Sequence, residues 1–560
     1  MIIDESRLLP APPHVVGPTW RKTTDGAWWL PDRSLGWGIL NWAAKYLRSP
    51  GGDTAGEPFM PTLEQARWLL WWYAVDVEGN WLYRNGVFRR LKGHGKDPLA
   101  AMLSLAELCG PVQFSHFDGD GDPIGKQRFS PWIQVVAVAQ EQTKNTFSLF
   151  PVMASKLLRE EHGLEINKTI IYSSDGGRIE AITSSPYAME GSRPTLVIQN
   201  ETQWWVEANQ GHDVASVIDG NVTKIPFSRK LSICNAHIPG ADSVGERDWD
   251  AYQAISTGEA VDVGMMYDAL EAPADTPLSE IPSEKDDPQG HHEGIAKLRA
   301  GIEIARGDST WLPIDAIIDS VLDTRNAVTE SRRKFLNQIL ATEDAWIAPQ
   351  EWDQLALVDP MFQLRKGEKI TLGFDGSKSN DWTALVACRV SDGMLFLLNY
   401  WNPERYANEE IPRDDVDAAV RSAFAGYDVV SMRADVKEFE AYIDQWTQDF
   451  RKQIKVNATP GNPIAYDMRG QSKKFAFDCE RFLDAVIAKE VYHDGNRTLR
   501  QHVLNARRYP TQWDAISIRK ASKDSSRKID AAVCSVLAYA ARNDYLVSKS
   551  ARSGKVAVIR

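Results

Sequence analysis

Cysteine is scarce in this chain. There are five in 560 residues (Cys109, Cys234, Cys388, Cys479 and Cys534), and no two form a CxxC pair. That excludes a disulfide framework and a zinc ribbon, and it fits a reducing compartment. Long apolar runs are missing too: no stretch of about eighteen apolar residues occurs, so no membrane span is expected. The opening residues MIIDESRLLPAPP lack the basic-then-apolar order of an export signal, which points to the cytosol. Positive charge is in overall deficit, with 64 Lys and Arg against 76 Asp and Glu and a net charge of −12, which argues against a general nucleic-acid coat. The deficit is uneven. From Asp494 to Arg560 fourteen basic residues face five acidic ones, a local balance of +9, as expected of a region that meets a polyanion.

What is present reads as several domains, because 560 residues exceed a single core. Residues 1–58, rich in Pro, Gly and Trp, read as an N-terminal arm. Residues 59–310 alternate apolar runs with helical stretches, the pattern of an α/β domain with a parallel sheet. The expected strands are WLYRNGVF, WIQVVAVA, RIEAITS, TLVIQN and KLSICN. A Pro-rich acidic segment, Ala272–Gly294, reads as a loop, with His291 and His292 solvated within it. Residues 311–365 read as a helical linker. Residues 366–545 open with three close strands (KITLGFD, TALVACRV, MLFLLNYW) and form a second α/β domain, followed by a basic tail over 546–560.

Two constellations carry chemistry. The first is RRLKGHGKDP, between an apolar strand and a helical run. Gly93 and Gly95 permit a tight backbone, Lys96 supplies a cation and the following helix supplies its N-terminal amides, which is how a phosphate-binding loop works. TLVIQNE ends a buried strand in Asn200 and Glu201, where a carboxylate can orient and deprotonate water. Upstream, Gln65 is placed to read an adenine edge; downstream, Asn235 ends another strand, where it can sense a terminal phosphate. Two positions depart from the usual pattern, and both concern magnesium: Asp97 stands where a hydroxyl is usual, and Asn200 where an Asp is usual. One carboxylate moved across the ion would explain both, since magnesium accepts either oxygen donor; a slow or dead nucleotide site is the competing explanation.

The second constellation is three aspartates at structurally related points. Asp375 ends one strand, Asp435 ends another, and Asp530 opens a late helix. Gathered together they would hold two cations, one activating water and one holding the leaving oxygen. Asp381 fits equally as a fourth ligand or a turn former. Arg507 and Arg508, read as lying on a helix, and Lys520 and Lys523 in the loop before Asp530 are candidate contacts to a DNA backbone. His502 reads as a surface histidine.

In this order, over roughly residues 59–545, the motifs resemble the large terminase subunit of tailed bacteriophages; FLNQILATEDAWIAPQEW and GFDGSKSNDWTALV are similar to that family as well. The resemblance implies a P-loop NTPase domain, a helical linker and an RNase H-like nuclease domain. It implies ATP and Mg²⁺ at Gln65, Gly93, Gly95, Lys96, Asp97 and Asn200, with Glu201 as base, Asn235 as coupling residue and a charge-stabilising arginine supplied either in cis by Arg89 or Arg90 or by a neighbouring subunit. It also implies two Mg²⁺ or Mn²⁺ ions on Asp375, Asp435 and Asp530. The implied partners are double-stranded DNA, the portal protein, a small terminase subunit and further copies of the chain in a ring, with a monomer expected in solution. The implied location is the host bacterial cytoplasm, transiently at the procapsid portal. Two other readings fit parts of the pattern: a stand-alone RNase H-like nuclease or resolvase whose N-terminal domain does not hydrolyse nucleotide, and a structural portal-docking protein with both centres decayed.

Overall fold

The computed structural model describes residues 15–548, apart from 25, 27, 184–185, 259, 279, 324, 340–344, 378–380, 514 and 521–526. The chain divides into two units, Met1–Leu340 and Ala341–Arg560.

The first unit is built on a nine-stranded sheet whose centre is six parallel strands. These are β1 (Asn85–Arg89), β2 (Trp132–Ala137), β3 (Arg178–Thr183), β4 (Leu196–Asn200), β5 (Arg229–Cys234) and β6 (Met265–Leu270), in the order β6-β1-β5-β4-β2-β3. All five expected strands form. β4 is buried at every position, as a strand covered on both faces must be. β6 was not anticipated, because Asp268 interrupts its apolar run. That carboxylate is fully buried and accepts from Arg90, Thr19 and Trp20.

The segment expected to be an arm is, from Val15 onward, part of this unit. Val15–Val16 pairs antiparallel with β6, Trp20 and Trp28 are buried, and the helix Gly36–Tyr46 puts Ile39, Leu40 and Ala43 into the main core. Its Pro and Gly content predicts irregular backbone correctly, but its tryptophans bury too much apolar surface to stay outside. The expected linker is also redistributed. Its helices α4 (Ile314–Leu322) and α5 (Val328–Phe335) pack, with the preceding α3 (Pro288–Arg306), against Leu91 and Ala272 of the first unit. Trp346, Ile347, Trp352 and Leu355 belong to the core of the second. The start of α3 at Pro288 also takes in His291 and His292, which the sequence placed in a loop; His291 Nδ1 is 2.8 Å from the Pro282 carbonyl oxygen.

The second unit holds a five-stranded sheet: β7 (Lys369–Asp375), β8 (Thr383–Arg389), β9 (Met394–Trp401), β10 (Asp428–Ala434) and β11 (Tyr492–His493), in the order β10-β7-β8-β9-β11. The first three form the expected antiparallel meander, and β10 returns parallel beside β7. The last described helix, α6 (Asp530–Val547), lies on this sheet. Its approach depends on Gly373: a Cβ there would sit 2.0 Å from the Cys534 carbonyl oxygen. Thr371 Oγ1 then donates to Ala538 O at 2.7 Å and Cys534 Sγ reaches Ala384 O at 3.2 Å, fixing the register of helix on sheet. Among the described residues no helix is long and apolar enough to cross a membrane.

Candidate active sites

In a parallel sheet the loops after the strand C-termini form the ligand crevice, and the first constellation gathers there. β1 runs through Arg89 to the turn Leu91–Gly95, and α2 (Lys96–Cys109) begins at once. Gly93 and Gly95 have φ of 86° and 91°, a region costly for any side-chain-bearing residue, which is why the loop needs glycine at both places. Lys96 is buried on the first turn of α2. Its Nζ donates to Leu91 O at 3.1 Å, to Arg90 O at 3.3 Å and to Asn235 Oδ1 at 3.4 Å, and burial pulls its pKa down.

The strand order explains why Asn235 is there: β5 lies between β1 and β4, so the residue after it stands between the lysine and the β4 carboxylate. Asn235 Nδ2 donates to Arg90 O at 2.8 Å, and its backbone N–H donates to Gln203 Oε1 at 3.3 Å. Gln203 Nε2 in turn donates to Glu201 Oε2 at 2.5 Å. Lys96, Asn235, Gln203 and Glu201 thus form one hydrogen-bonded chain across three strand ends. Glu201 holds φ of 60°, backbone strain of the kind that collects at functional positions. Gln203 was missed by sequence reasoning because ETQWW reads as a turn.

Gln65 lies near the loop in α1 (Leu63–Trp72), within a capping box. Its Oε1 accepts from Thr62 N–H while its own N–H donates to Thr62 Oγ1. That leaves Nε2 as the free end, 3.6 Å from where a Cβ on Gly95 would sit. An amide donor is what an adenine ring nitrogen would meet. A second missed group covers the loop from outside: Ser309 Oγ donates to His94 O at 3.1 Å, and Trp311 Nε1 donates to Gly93 O at 3.0 Å.

Asp97 and Asn200, expected to share magnesium duties, are neighbours. Asn200 Nδ2 donates to Asp97 Oδ1 at 3.3 Å, and Thr146 Oγ1 donates to the same oxygen at 2.9 Å. A carboxylate and an amide side by side fit one oxygen-seeking cation beside the loop lysine. If they trade roles, Asp97→Ser and Asn200→Asp should each depress ATP turnover and the double variant should recover much of it. Turnover in the double variant no higher than in either single one would end that idea.

Arg89 and Arg90 do not fill the role expected of them. Arg89 Nη2 pairs with Glu271 at 2.7 Å and its Nη1 donates to Asn337 O; Arg90 Nη2 pairs with Asp268 at 2.6 Å. Both guanidiniums are fully buried in these pairs and hold the base of the loop instead of facing a ligand.

Beneath Gln65, burial pushes the Glu64 carboxyl up to about 8; Asp308 adds to the rise while Arg90 and Arg67 oppose it. A carboxyl raised on folding supports the fold while protonated, so its contribution drains away between the ordinary range near 4.5 and about 8. The melting temperature should therefore fall from about pH 5 to about pH 8. Glu64→Gln should flatten that fall, and parallel curves for the two proteins would refute the assignment.

In the second unit Asp375 and Asp530 meet because of Gly373. Asp375 lies two residues beyond Gly373 along β7, and Asp530 lies one helical turn before Cys534 along α6, so both run to the same end of the contact. Asp435 joins from the end of β10, where its N–H donates to Phe374 O at 3.0 Å and its Oδ1 accepts from Met468 N–H at 3.1 Å. Burial and the nearby Asp530 and Asp435 raise the Asp375 carboxyl well above its usual range. Burial lifts Asp530 to about 6, against the pull of Lys520.

Among the described residues no three acidic, histidine or cysteine side chains are closed into a ready metal cage. The chemistry of the cluster nonetheless suits a cation, since buried carboxylates repel one another and Asp530 Oδ2 is buried with no hydrogen-bond partner. Asp381 is ion-paired with Lys520 and, at 3.1 Å, with Lys528, at the edge of this cluster.

The candidate DNA contacts separate. Lys520 is held by Asp381, and Lys523 lies outside the described residues. Arg507 and Arg508 are on a short strand, Arg507–Pro510, not on the helix before it; Arg507 is buried, while Arg508 is exposed and donates Nε to Ala345 O. The alternation of that strand turns one arginine inward and the next outward. His502 is not on the surface. It is buried against Trp382, its Nδ1 accepts from Ala531 N–H at 3.0 Å, and burial with Lys520 and Lys528 lowers it to about 3. It therefore holds the first turn of α6 as a neutral ring.

A Gly-Lys turn at the C-terminal edge of a parallel sheet and a buried carboxylate cluster in a separate unit are the features that a phosphate-binding loop and a nuclease-type centre require. Comparison with known proteins makes the class specific. The family model "Terminase large subunit, endonuclease domain" matches residues 314–543. Two phage proteins, each called Gene 13 protein, from Mycobacterium phages L5 and D29, are 61% identical to this chain, covering 99% of it and 98% of their own length. The chain belongs to the terminase large-subunit family. Among solved structures it is similar to the HK97 bacteriophage large terminase, at 17% identity and a TM-score of 0.45, over 90% of this chain and 99% of that one.

Proposed function

We propose that this chain is the motor subunit of a viral DNA-packaging machine, which hydrolyses ATP to move double-stranded DNA into a procapsid and cuts concatemeric DNA with a metal-dependent nuclease. The observation that carries the motor reading is the hydrogen-bonded chain from Lys96 through Asn235 and Gln203 to Glu201. Such a chain lets the phosphate-facing lysine and the water-facing carboxylate respond to one another.

In this reading Lys96 and the loop amides bind phosphates, and Gln65 Nε2 meets the base. Glu201 takes a proton from the attacking water, and Asp97 with Asn200 would hold Mg²⁺, which neutralises phosphate charge when bound. Asp375, Asp435 and Asp530 would hold two Mg²⁺ or Mn²⁺ ions, which activate water and stabilise the leaving oxygen when bound. The partners on this reading are the portal protein, a small terminase subunit and further copies of the chain in a ring, and the place of action is the host cytoplasm at the procapsid portal.

The test is Mg²⁺-dependent ATP hydrolysis by the purified chain, with and without double-stranded DNA and the portal protein, beside Mn²⁺-dependent cleavage of plasmid DNA. Both activities are expected. Cleavage with no ATP turnover in any of these mixtures would favour a stand-alone nuclease instead.

A further inference from the structure

We propose that Arg333, on α5, is the arginine that stabilises negative charge on the transferring phosphoryl group, and that it acts within its own chain. This rests on the ATPase reading above. The arginines beside the loop are locked in buried pairs, whereas Arg333 is only loosely matched. It is 6% exposed, its Nη2 is buried with no hydrogen-bond partner, and its nearest carboxylate, the half-exposed Glu330, is 3.7 Å away. A buried guanidinium with an unmet donor is costly unless some state of the protein supplies an acceptor.

The surroundings say which acceptor. The guanidinium lies 4.6 Å over the ring of Trp204, three residues after Glu201, and Glu201 is among the charges acting on it. Just after Arg333, the end of α5 and the residues that follow it are tied to the loop and to the strand ends. Lys92 N–H donates to Lys334 O at 2.8 Å, Asn337 Oδ1 accepts from Ala236 N–H at 2.8 Å, and Asn337 Nδ2 donates to Leu270 O at 2.6 Å. The neighbouring Arg332 is engaged elsewhere, on Thr276 O, Gln338 and Glu280. Arg333 is thus the cation set beside the water-activating carboxylate, and its planar fork matches phosphoryl oxygens. A terminal phosphate between Lys96 and Glu201 would satisfy the open donor.

Steady-state ATP hydrolysis by the full chain should lose about 10²- to 10³-fold in kcat in Arg333→Ala and in Arg333→Gln, with KM changed little. Both variants should still bind MgADP but fail to trap MgADP with aluminium fluoride, a transition-state mimic that a merely structural residue would not single out. Unchanged melting temperature and unchanged plasmid cleavage would show that the fold survives. Wild-type turnover in both variants, or loss of MgADP binding in step with turnover, overturns the proposal. So does recovery of turnover on mixing Arg333→Ala with Lys96→Ala, which would place the arginine in a neighbouring subunit. If wild type itself shows no turnover above Lys96→Ala, the ATPase reading falls and the proposal with it.

Discussion

Asp375→Asn should abolish metal-dependent DNA cleavage, with a loss on the order of 10³-fold or more, while ATP turnover is left intact. Asp375 feels the charges of both other carboxylates: Asp530 lies on α6, and Asp435 follows the strand hydrogen-bonded to β7. Removing one charge takes away both a ligand and the repulsion that makes the cluster demand cations, and each metal contributes several kcal/mol to the transition state. The same substitution should raise the melting temperature of the metal-free protein, because a buried carboxylate held among like charges destabilises the fold. It should also erase the stabilisation that Mn²⁺ confers on wild type, by the linkage between binding and folding. Wild-type cleavage by Asp375→Asn would remove this cluster from consideration. Loss of cleavage with an unchanged response of melting to Mn²⁺ would mean that the ions bind elsewhere.

Lys96→Ala carries the second large effect, a fall in ATP turnover of at least about 10²-fold with DNA cleavage retained. The lysine's present partners are two loop carbonyl oxygens and Asn235. None is anionic, and burial already disfavours its charge. An ammonium in that state gains most from an incoming phosphate, so its loss should weaken nucleotide binding as well as catalysis. Glu201→Gln should differ in kind: nucleotide binding persists and turnover falls, because the group removed acts on water and not on phosphate. If Lys96→Ala turns over ATP like wild type, the loop is no more than a basic turn.

Much of this was legible in the sequence because the signals were local. Paired glycines before a lysine, a buried strand ending in a carboxylate, and three aspartates at element ends each need only a few adjacent residues. The strands before Glu201, Asn235, Asp375 and Asp435 were visible as short apolar runs, and the strand order sets Asn235 beside Glu201 in the first unit and Asp435 beside Asp375 in the second. What was not legible depended on distant partners. Arg89 and Arg90 read as free cations because their partners Asp268 and Glu271 lie on, and just after, a strand whose buried carboxylate hid it. The first fifty-odd residues read as an arm because Pro and Gly are local signals, while the cavity that receives Trp20 and Trp28 is not. Arg507 and His502 read as surface residues because short strands and buried polar rings leave little trace in periodicity. Gln203 and Asn337 matter only through hydrogen bonds to segments far away in sequence, so no motif announces them.

The contact made possible by Gly373 also has a consequence in time. Asp375 leaves the ribosome with the first strand of the five-stranded sheet, whereas Asp530 arrives only with α6, after all five strands of the sheet have been synthesised. A growing chain can bring Lys96, Asn235, Gln203 and Glu201 together while the carboxylate cluster of the second unit still lacks Asp530. The carboxylate cluster therefore cannot be complete until α6 has settled onto the sheet, through the space that the absent side chain of Gly373 leaves.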